Sequence, residues 1–103
     1  MNQQIFNEIQ TLKRQLLPNE KMILFGSQAR GDAREDSDWD LLLLLDREEK
    51  SFSENYSKYS YPFAELGFKY GTHISAVFYT KKDWEAHPSY FRYNVEQEGI
   101  EIK

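Results

Sequence analysis

The chain has 103 residues with a formal net charge of −4, and 29% of its residues are charged. This length fits one domain over residues 1–103, the acidic balance argues against a broad electrostatic affinity for nucleic acid, and the absence of cysteine excludes disulfides, zinc–thiolate sites and a cysteine nucleophile. No apolar run approaches the ~20 residues of a membrane span and the polar start is unlike a signal peptide, so we expect a cytoplasmic protein without a membrane partner.

The first half of the chain predicts one long helix followed by two strands. Ile5, Ile9 and Leu12 recur at helical spacing, which is typical of an amphipathic helix. The later run Leu41–Leu45 is short and bounded by acids, which favours a strand buried on both faces. The elements predicted here are a helix over 2–17, a strand over 22–25, a helical turn over 28–30 closed by Gly31, a polar loop over 32–37 and a strand over 41–45.

The second half predicts helices that alternate with strands. Aromatic and leucine residues at spacings of three and four indicate a helix that Pro62 should kink or bound. Thr80 is placed to cap a further helix, with Asp83 at its third position. The predicted elements are a charged connection over 47–52, a helix over 55–68, a strand over 74–79, a helix that begins at 81, restarts at Pro88 and runs to Gly99, and an edge strand over 100–102. Together they predict a small α/β (α+β) domain in which helices pack on a mixed β-sheet.

The stretch after the first predicted strand carries groups suited to phosphate. Gly26-Ser27 ends the strand where a helical turn begins. Glycine allows the backbone to approach a ligand closely, and the serine hydroxyl and the free amides at the turn can bind phosphate oxygens. Arg30, one turn further on, can add charge-assisted hydrogen bonds.

Two carboxylates open the following strand. Asp38 and Asp40 are two residues apart, so their side chains should share one face with Cα atoms about 6.5–7 Å apart. Such a pair can share Mg²⁺, which prefers hard oxygen ligands together with substrate phosphates, and two such cations can assist in-line displacement at phosphorus. A solvated acidic loop is the alternative, and it explains the loop acids but not two acids on one strand face. An EF-hand loop is excluded, because Leu41 and Arg47 stand where it needs glycine and glutamate.

The spacing of these groups resembles a known signature. Gly26-Ser27, ten residues, Asp38, one residue and Asp40 resemble the G-S-x10-D-x-D pattern of the polymerase-beta-like nucleotidyltransferase superfamily. The sequence of Phe25–Gly31, followed by that of Ser37–Leu42, is similar to the minimal nucleotidyltransferase (MNT) branch of this superfamily. The resemblance implies the fold of that superfamily. It also implies that Gly26, Ser27 and Arg30 bind the nucleotide and that Asp38 and Asp40 are catalytic and hold Mg²⁺.

The resemblance also implies an activity and a partner. It implies Mg²⁺-dependent transfer of a nucleoside monophosphate, AMP from ATP, to a hydroxyl on a partner protein. MNT chains are often encoded beside a HEPN-domain protein as antitoxin and toxin, and some transfer AMP to a tyrosine of the toxin. The implied partners are therefore a nucleoside triphosphate and a HEPN-type protein, or a second copy of the chain, and nothing in the sequence indicates nucleic acid.

The sequence departs from the family pattern at one place. The superfamily usually has a third carboxylate on a later strand, but Thr72–Thr80 contains no Asp or Glu. His73 and Ser75 stand in that neighbourhood, and Glu65 and Asp83 are the nearest acids along the chain. Two hypotheses follow. Either a third ligand comes from elsewhere, or the chain is a catalytically weak binding module that acts by occluding a HEPN-type partner.

Overall fold

The computed structural model describes residues 1–46 and 52–103. None of the described helices is both long enough and apolar enough to cross a membrane. The elements in chain order are α1 (Gln3–Leu16), β1 (Lys21–Phe25), α2 (Ser27–Arg30), β2 (Trp39–Leu45), α3 (Phe52–Asn55), a π-helical segment (Tyr56–Ser60), α4 (Tyr61–Tyr70), β3 (Ile74–Thr80), α5 (Lys81–Ala86), α6 (Tyr90–Glu98) and β4 (Ile100–Ile102).

The four strands form one mixed sheet in the order β3-β2-β1-β4. β2 and β3 are parallel, whereas β1 is antiparallel to both of its neighbours. The prediction of a mixed sheet with helices packed on it is confirmed. The strand predicted over Leu41–Leu45 is also confirmed, although β2 begins two residues earlier, at Trp39.

Helices cover both faces of the sheet, which explains the unbroken leucine run of β2. Side chains alternate between faces along a strand, so odd- and even-numbered leucines enter different cores. The larger core lies on the face covered by α1, the π-helical segment and α4, and it includes Trp39, Leu41, Leu43 and Phe63. The smaller core lies on the opposite face under α5 and α6, and it consists of Leu42, Leu44, Trp84 and Val95. This second face also carries the even-numbered acids at the start of β2.

Helix boundaries follow the local chemistry of capping. The side chain of Asn2 accepts a hydrogen bond from the Ile5 amide at the start of α1. Thr80 caps α5 as predicted, because its hydroxyl accepts a hydrogen bond from the Asp83 amide at 3.1 Å. The last helix, α6, begins after its cap Ser89, so it is separate from α5 rather than a continuation restarted by proline.

The helix predicted over 55–68 is longer and interrupted. Three consecutive helical segments run from Phe52 to Tyr70. Pro62 lies in the first turn of α4, directly after the π-helical segment, so its missing N–H falls where the helical hydrogen-bond pattern changes. Proline therefore marks a boundary, as predicted. The predicted charged connection over 47–52 lies outside the described residues apart from Phe52, at which α3 begins.

Candidate active site

The predicted site residues meet at one end of the sheet. β1 ends at Phe25, which pairs with Asp40 near the start of β2. Because β3 runs parallel to β2, its first residues lie at the same end, and Ser75 pairs with Asp40. The turn after β1, the acids that begin β2 and the start of β3 are thus neighbours in space.

Gly26 brings the turn backbone against the Asp40 side chain. Its backbone has φ 76° and ψ −159°, a region that essentially only glycine occupies. A Cβ atom at this position would overlap Oδ2 of Asp40. A helical turn begins immediately after Gly26, because the Arg30 amide donates a hydrogen bond to the Gly26 carbonyl at 3.0 Å. A glycine is required here for both conformation and space.

Ser27 is the first residue of α2, and the next residue, Gln28, connects this turn to the acidic segment by a hydrogen bond. The Ser27 carbonyl accepts hydrogen bonds from the amides of Gly31 and Asp32. Gln28 is buried, and its side-chain amide donates to the Ser37 carbonyl at 3.3 Å. This contact, which the sequence did not indicate, couples the turn directly to the residue before Asp38.

Asp38 and Asp40 share a face, as predicted. Trp39 between them is 2% exposed and lies in the larger core, so the two acids point to the opposite face of the sheet. Asp38 is exposed and Asp40 is partly buried. Burial, followed by the negative charge of Asp38, raises the pKa of the Asp40 carboxyl, and His73 and Arg30 oppose this only in part. Two neighbouring carboxylates supply the hard oxygen ligands that a divalent cation such as Mg²⁺ prefers.

The position usually held by a third carboxylate is occupied by other residue types. Ser75 stands opposite Asp40 in the strand register. The ring Nδ1 of His73 lies 3.6 Å from Oδ2 of Asp38, and both side chains are more than half exposed. Within residues 1–46 and 52–103, no group of three or more His, Cys, Asp or Glu side chains is placed to hold a metal ion. The structure therefore assembles two of the expected carboxylates and no third one among the residues it describes.

The two acids nearest in sequence to β3 do not complete the site. Asp83 follows β3 at its far end, where Thr80 pairs with Leu45. Glu65 lies on α4, whose Phe63 packs in the larger core on the opposite face of the sheet. Neither carboxylate can therefore join Asp40.

Comparison with known proteins decides the family. The family model described as "Nucleotidyltransferase domain" matches residues 4–102. The chain belongs to the nucleotidyltransferase domain family. No curated protein has a significant sequence match to it.

Two solved structures share the fold of this nucleotidyltransferase domain. One is a chain in a crystal structure of a toxin–antitoxin with AMP-PNP, with a TM-score of 0.67 and 19% identity over 100% of this chain and 73% of the other. The second is a chain in a crystal structure of the toxin–antitoxin MntA-HpeT mutant Y104A, with a TM-score of 0.63 and 19% identity over 94% and 70%. At this identity the likeness concerns the fold alone, and it confirms the prediction of a small α+β domain with helices packed on a mixed sheet.

One residue beside the candidate site was missed by the sequence analysis. Glu98, the last residue of α6, accepts a hydrogen bond from the Gly26 amide at 3.2 Å. Both oxygens of this carboxylate also accept hydrogen bonds from Nη1 of Arg30, at 3.2 and 3.3 Å. Arg30 also donates from Nε to Asp32 at 3.2 Å, and the hydrogen bonds to Asp32 and then Glu98 raise the pKa of the guanidinium. Arg30 therefore lies beside the turn, where two carboxylates hold its guanidinium.

Proposed function

We propose that this chain is a Mg²⁺-dependent nucleotidyltransferase that transfers a nucleoside monophosphate, AMP from ATP, to a hydroxyl on a partner protein. The observation that supports it best is the convergence of three features at one end of the sheet. These are the glycine turn at Gly26, the carboxylate pair Asp38 and Asp40, and the guanidinium of Arg30. The family membership supports this reaction class, and the geometry supports the roles proposed for these residues.

The roles divide between phosphate binding and charge compensation. In this proposal the Gly26 amide, the Ser27 hydroxyl and Arg30 bind the β- and γ-phosphates. Asp38 and Asp40 would hold Mg²⁺, which when bound neutralises the triphosphate and stabilises the charge on the departing pyrophosphate. The acceptor hydroxyl gives its proton to solvent water, its oxygen forms a bond to the α-phosphorus, and the bond from that phosphorus to the β-phosphate oxygen breaks, so that pyrophosphate leaves.

The exposure of the site supports a macromolecular acceptor. The Asp38 side chain is 60% exposed, so a hydroxyl carried by another protein can reach this end of the sheet. The structural neighbours support a partner protein and a nucleotide, since both are toxin–antitoxin structures and one contains AMP-PNP. The proposed acceptor is a HEPN-type toxin, and this chain is its antitoxin.

A second candidate is a binding module of the same fold that silences a HEPN-type partner by occlusion. The observation that favours it is the start of β3, where Ser75 and His73 face the carboxylate pair and no acid does. A single carboxylate pair offers fewer ligands for two metal ions than the three carboxylates of the superfamily pattern. In this case the chain binds its partner and transfers nothing.

The experiment that tests the enzymatic proposal uses a matched pair of double variants. Asp38→Asn with Asp40→Asn removes the carboxylates at the site, and Asp36→Asn with Asp46→Asn removes two exposed acids outside it. Calorimetric titration of ATP with and without Mg²⁺, followed by transfer of α-phosphate label to the co-purified partner, gives two readouts. We expect Mg²⁺-dependent binding and transfer in the wild type and the control, and loss of both in the site variant. Unchanged transfer by the site variant would contradict the mechanism.

The same site variant separates transfer from occlusion when it is co-expressed with the product of the adjacent gene. Normal complex formation without protection of the cell indicates that transfer is the neutralising event. Normal complex formation with full protection indicates occlusion, and it would contradict the proposal that nucleotide transfer is required.

A further inference from the structure

Two groups assigned to phosphate binding are already engaged by an anion of the chain itself. The Gly26 amide and the Arg30 guanidinium converge on the carboxylate of Glu98, with one oxygen accepting from both. A backbone N–H beside an arginine is a common arrangement for a phosphate oxygen, and a carboxylate satisfies the same donors. Glu98 thus makes, within the free chain, the contacts that the proposed function assigns to the triphosphate.

The pairing of β1 with β4 brings the end of α6 close to the turn after β1. In the antiparallel pair of β1 and β4, Met22 lies opposite Ile102 and Leu24 opposite Ile100. Gly26 follows Leu24 by two residues and Glu98 precedes Ile100 by two, so this pairing brings the turn and the end of α6 together. The close end of α6 holds the placement, because a Cβ atom at Gly99 would lie 2.5 Å from both Ile23 and the Val95 carbonyl oxygen. The contact is therefore built into the fold.

We propose that Glu98 is a built-in competitor of the nucleotide, whose carboxylate occupies the anion position formed by Gly26 and Arg30 and leaves it when a Mg²⁺-bound triphosphate binds. This inference rests on the proposed function, which assigns these two groups to phosphate. Glu98 itself is placed outside the catalytic pair, and its role is to set the affinity and specificity of the phosphate site.

Charge and exposure make the exchange feasible. A carboxylate and a triphosphate are both anions, so they repel one another at hydrogen-bond distance and cannot occupy the same donors together. The Glu98 side chain is 23% exposed, and it belongs to the last residue of α6. It can therefore rotate toward solvent without disturbing a core. A ligand that offers more negative charge than one carboxylate, such as a triphosphate, displaces it better than a monophosphate does.

The test titrates inorganic tripolyphosphate, and separately ATP, each with Mg²⁺, into the wild-type chain and three variants. Glu98→Gln keeps the size of the side chain and removes its charge. Glu101→Gln is the matched control, an exposed glutamate of β4 three residues further along the chain. Glu98→Ala is a second site variant, and thermal unfolding of each protein verifies folding. We expect both Glu98 variants to bind tripolyphosphate and ATP at least fivefold more tightly than the wild type, and Glu101→Gln to match the wild type.

Each other outcome has a defined meaning. Equal affinity of the Glu98 variants and the wild type would overturn the competition while leaving the phosphate site of the proposed function intact. Weaker binding would make Glu98 a positioning residue for Arg30 and would also overturn it. If Glu101→Gln gains as much affinity as the Glu98 variants, the effect comes from the net charge of the chain, and the competition is overturned. If no version binds either probe, the phosphate assignment fails, and both proposals fail with it. Binding by the Glu98 variants alone supports the competition most directly.

Discussion

Replacing Gly26 with alanine probes how closely the turn after β1 approaches the Asp40 carboxylate. The first cost is conformational, because φ of 76° with ψ of −159° is a region that an L-residue occupies at a cost of about 1–3 kcal/mol. The second cost is steric. The new Cβ atom would overlap Oδ2 of Asp40 and lie 3.3 Å from its Cγ, and such overpacking typically costs about 1–3 kcal/mol.

The two costs sum to about 2–6 kcal/mol in free energy of unfolding, a large part of the total for a domain of this size. At about 4–8 °C per kcal/mol for a small domain, the melting temperature should fall by roughly 10 °C or more. Gly31→Ala is the matched control. Gly31 also has a positive φ, of 84°, but its Cβ would meet no atom within 4 Å, so it should cost only the backbone term of about 1–2 kcal/mol.

A double-mutant cycle isolates the steric part. In an Asp40→Ala background the nearest remaining atom of that side chain, Cβ, lies 3.5 Å from the added Cβ of residue 26, which is ordinary contact. The cost of Gly26→Ala should therefore fall to its conformational part, as measured by urea unfolding of all four proteins. The reasoning is refuted if Gly26→Ala costs no more than Gly31→Ala, or if its cost is the same in both backgrounds.

Three further predictions concern stability. The raised pKa of Asp40 means that the folded chain binds a proton more readily than the unfolded chain, so stability falls as pH rises above the ordinary value of 3.8 and through the raised pKa. Asp40→Asn should accordingly raise the melting temperature at pH 7 in EDTA, with a gain that shrinks toward pH 3, and a gain independent of pH would contradict this cause. Gly67→Ala should lower the melting temperature although alanine is the better helix former. The reason is that the added Cβ would lie 2.6 Å from the Thr72 carbonyl oxygen. A higher melting temperature would show that this contact relaxes. Leu43→Ala should cost about 2–5 kcal/mol in urea unfolding, because this fully buried side chain lies in the larger core; a loss below about 1 kcal/mol would mean that the core collapses around the gap.

Much of the site was predictable because its signals are local. The distance along the chain from Gly26-Ser27 to the acids depends only on the sequence, and so does the alternation that puts Asp38 and Asp40 on one face. Caps such as Thr80 are equally local, since side chain and amide are three residues apart. The strand start was placed late because Trp39 and Asp40 interrupt the apolar run, although Trp39 packs inward and Asp40 pairs with Phe25.

The sequence alone determined the order of the elements, the family signature and the residues that could bind phosphate and metal, because each depends on neighbours along the chain. Only the tertiary structure decided which residues complete the site. Ser75 stands opposite Asp40 because β3 pairs with β2 in one particular register. Glu98 lies 72 residues after Gly26 in the sequence, and the two meet because β4 pairs with β1. Strand registers are set by the packing of both sheet faces at once, and no segment of the chain carries that information by itself.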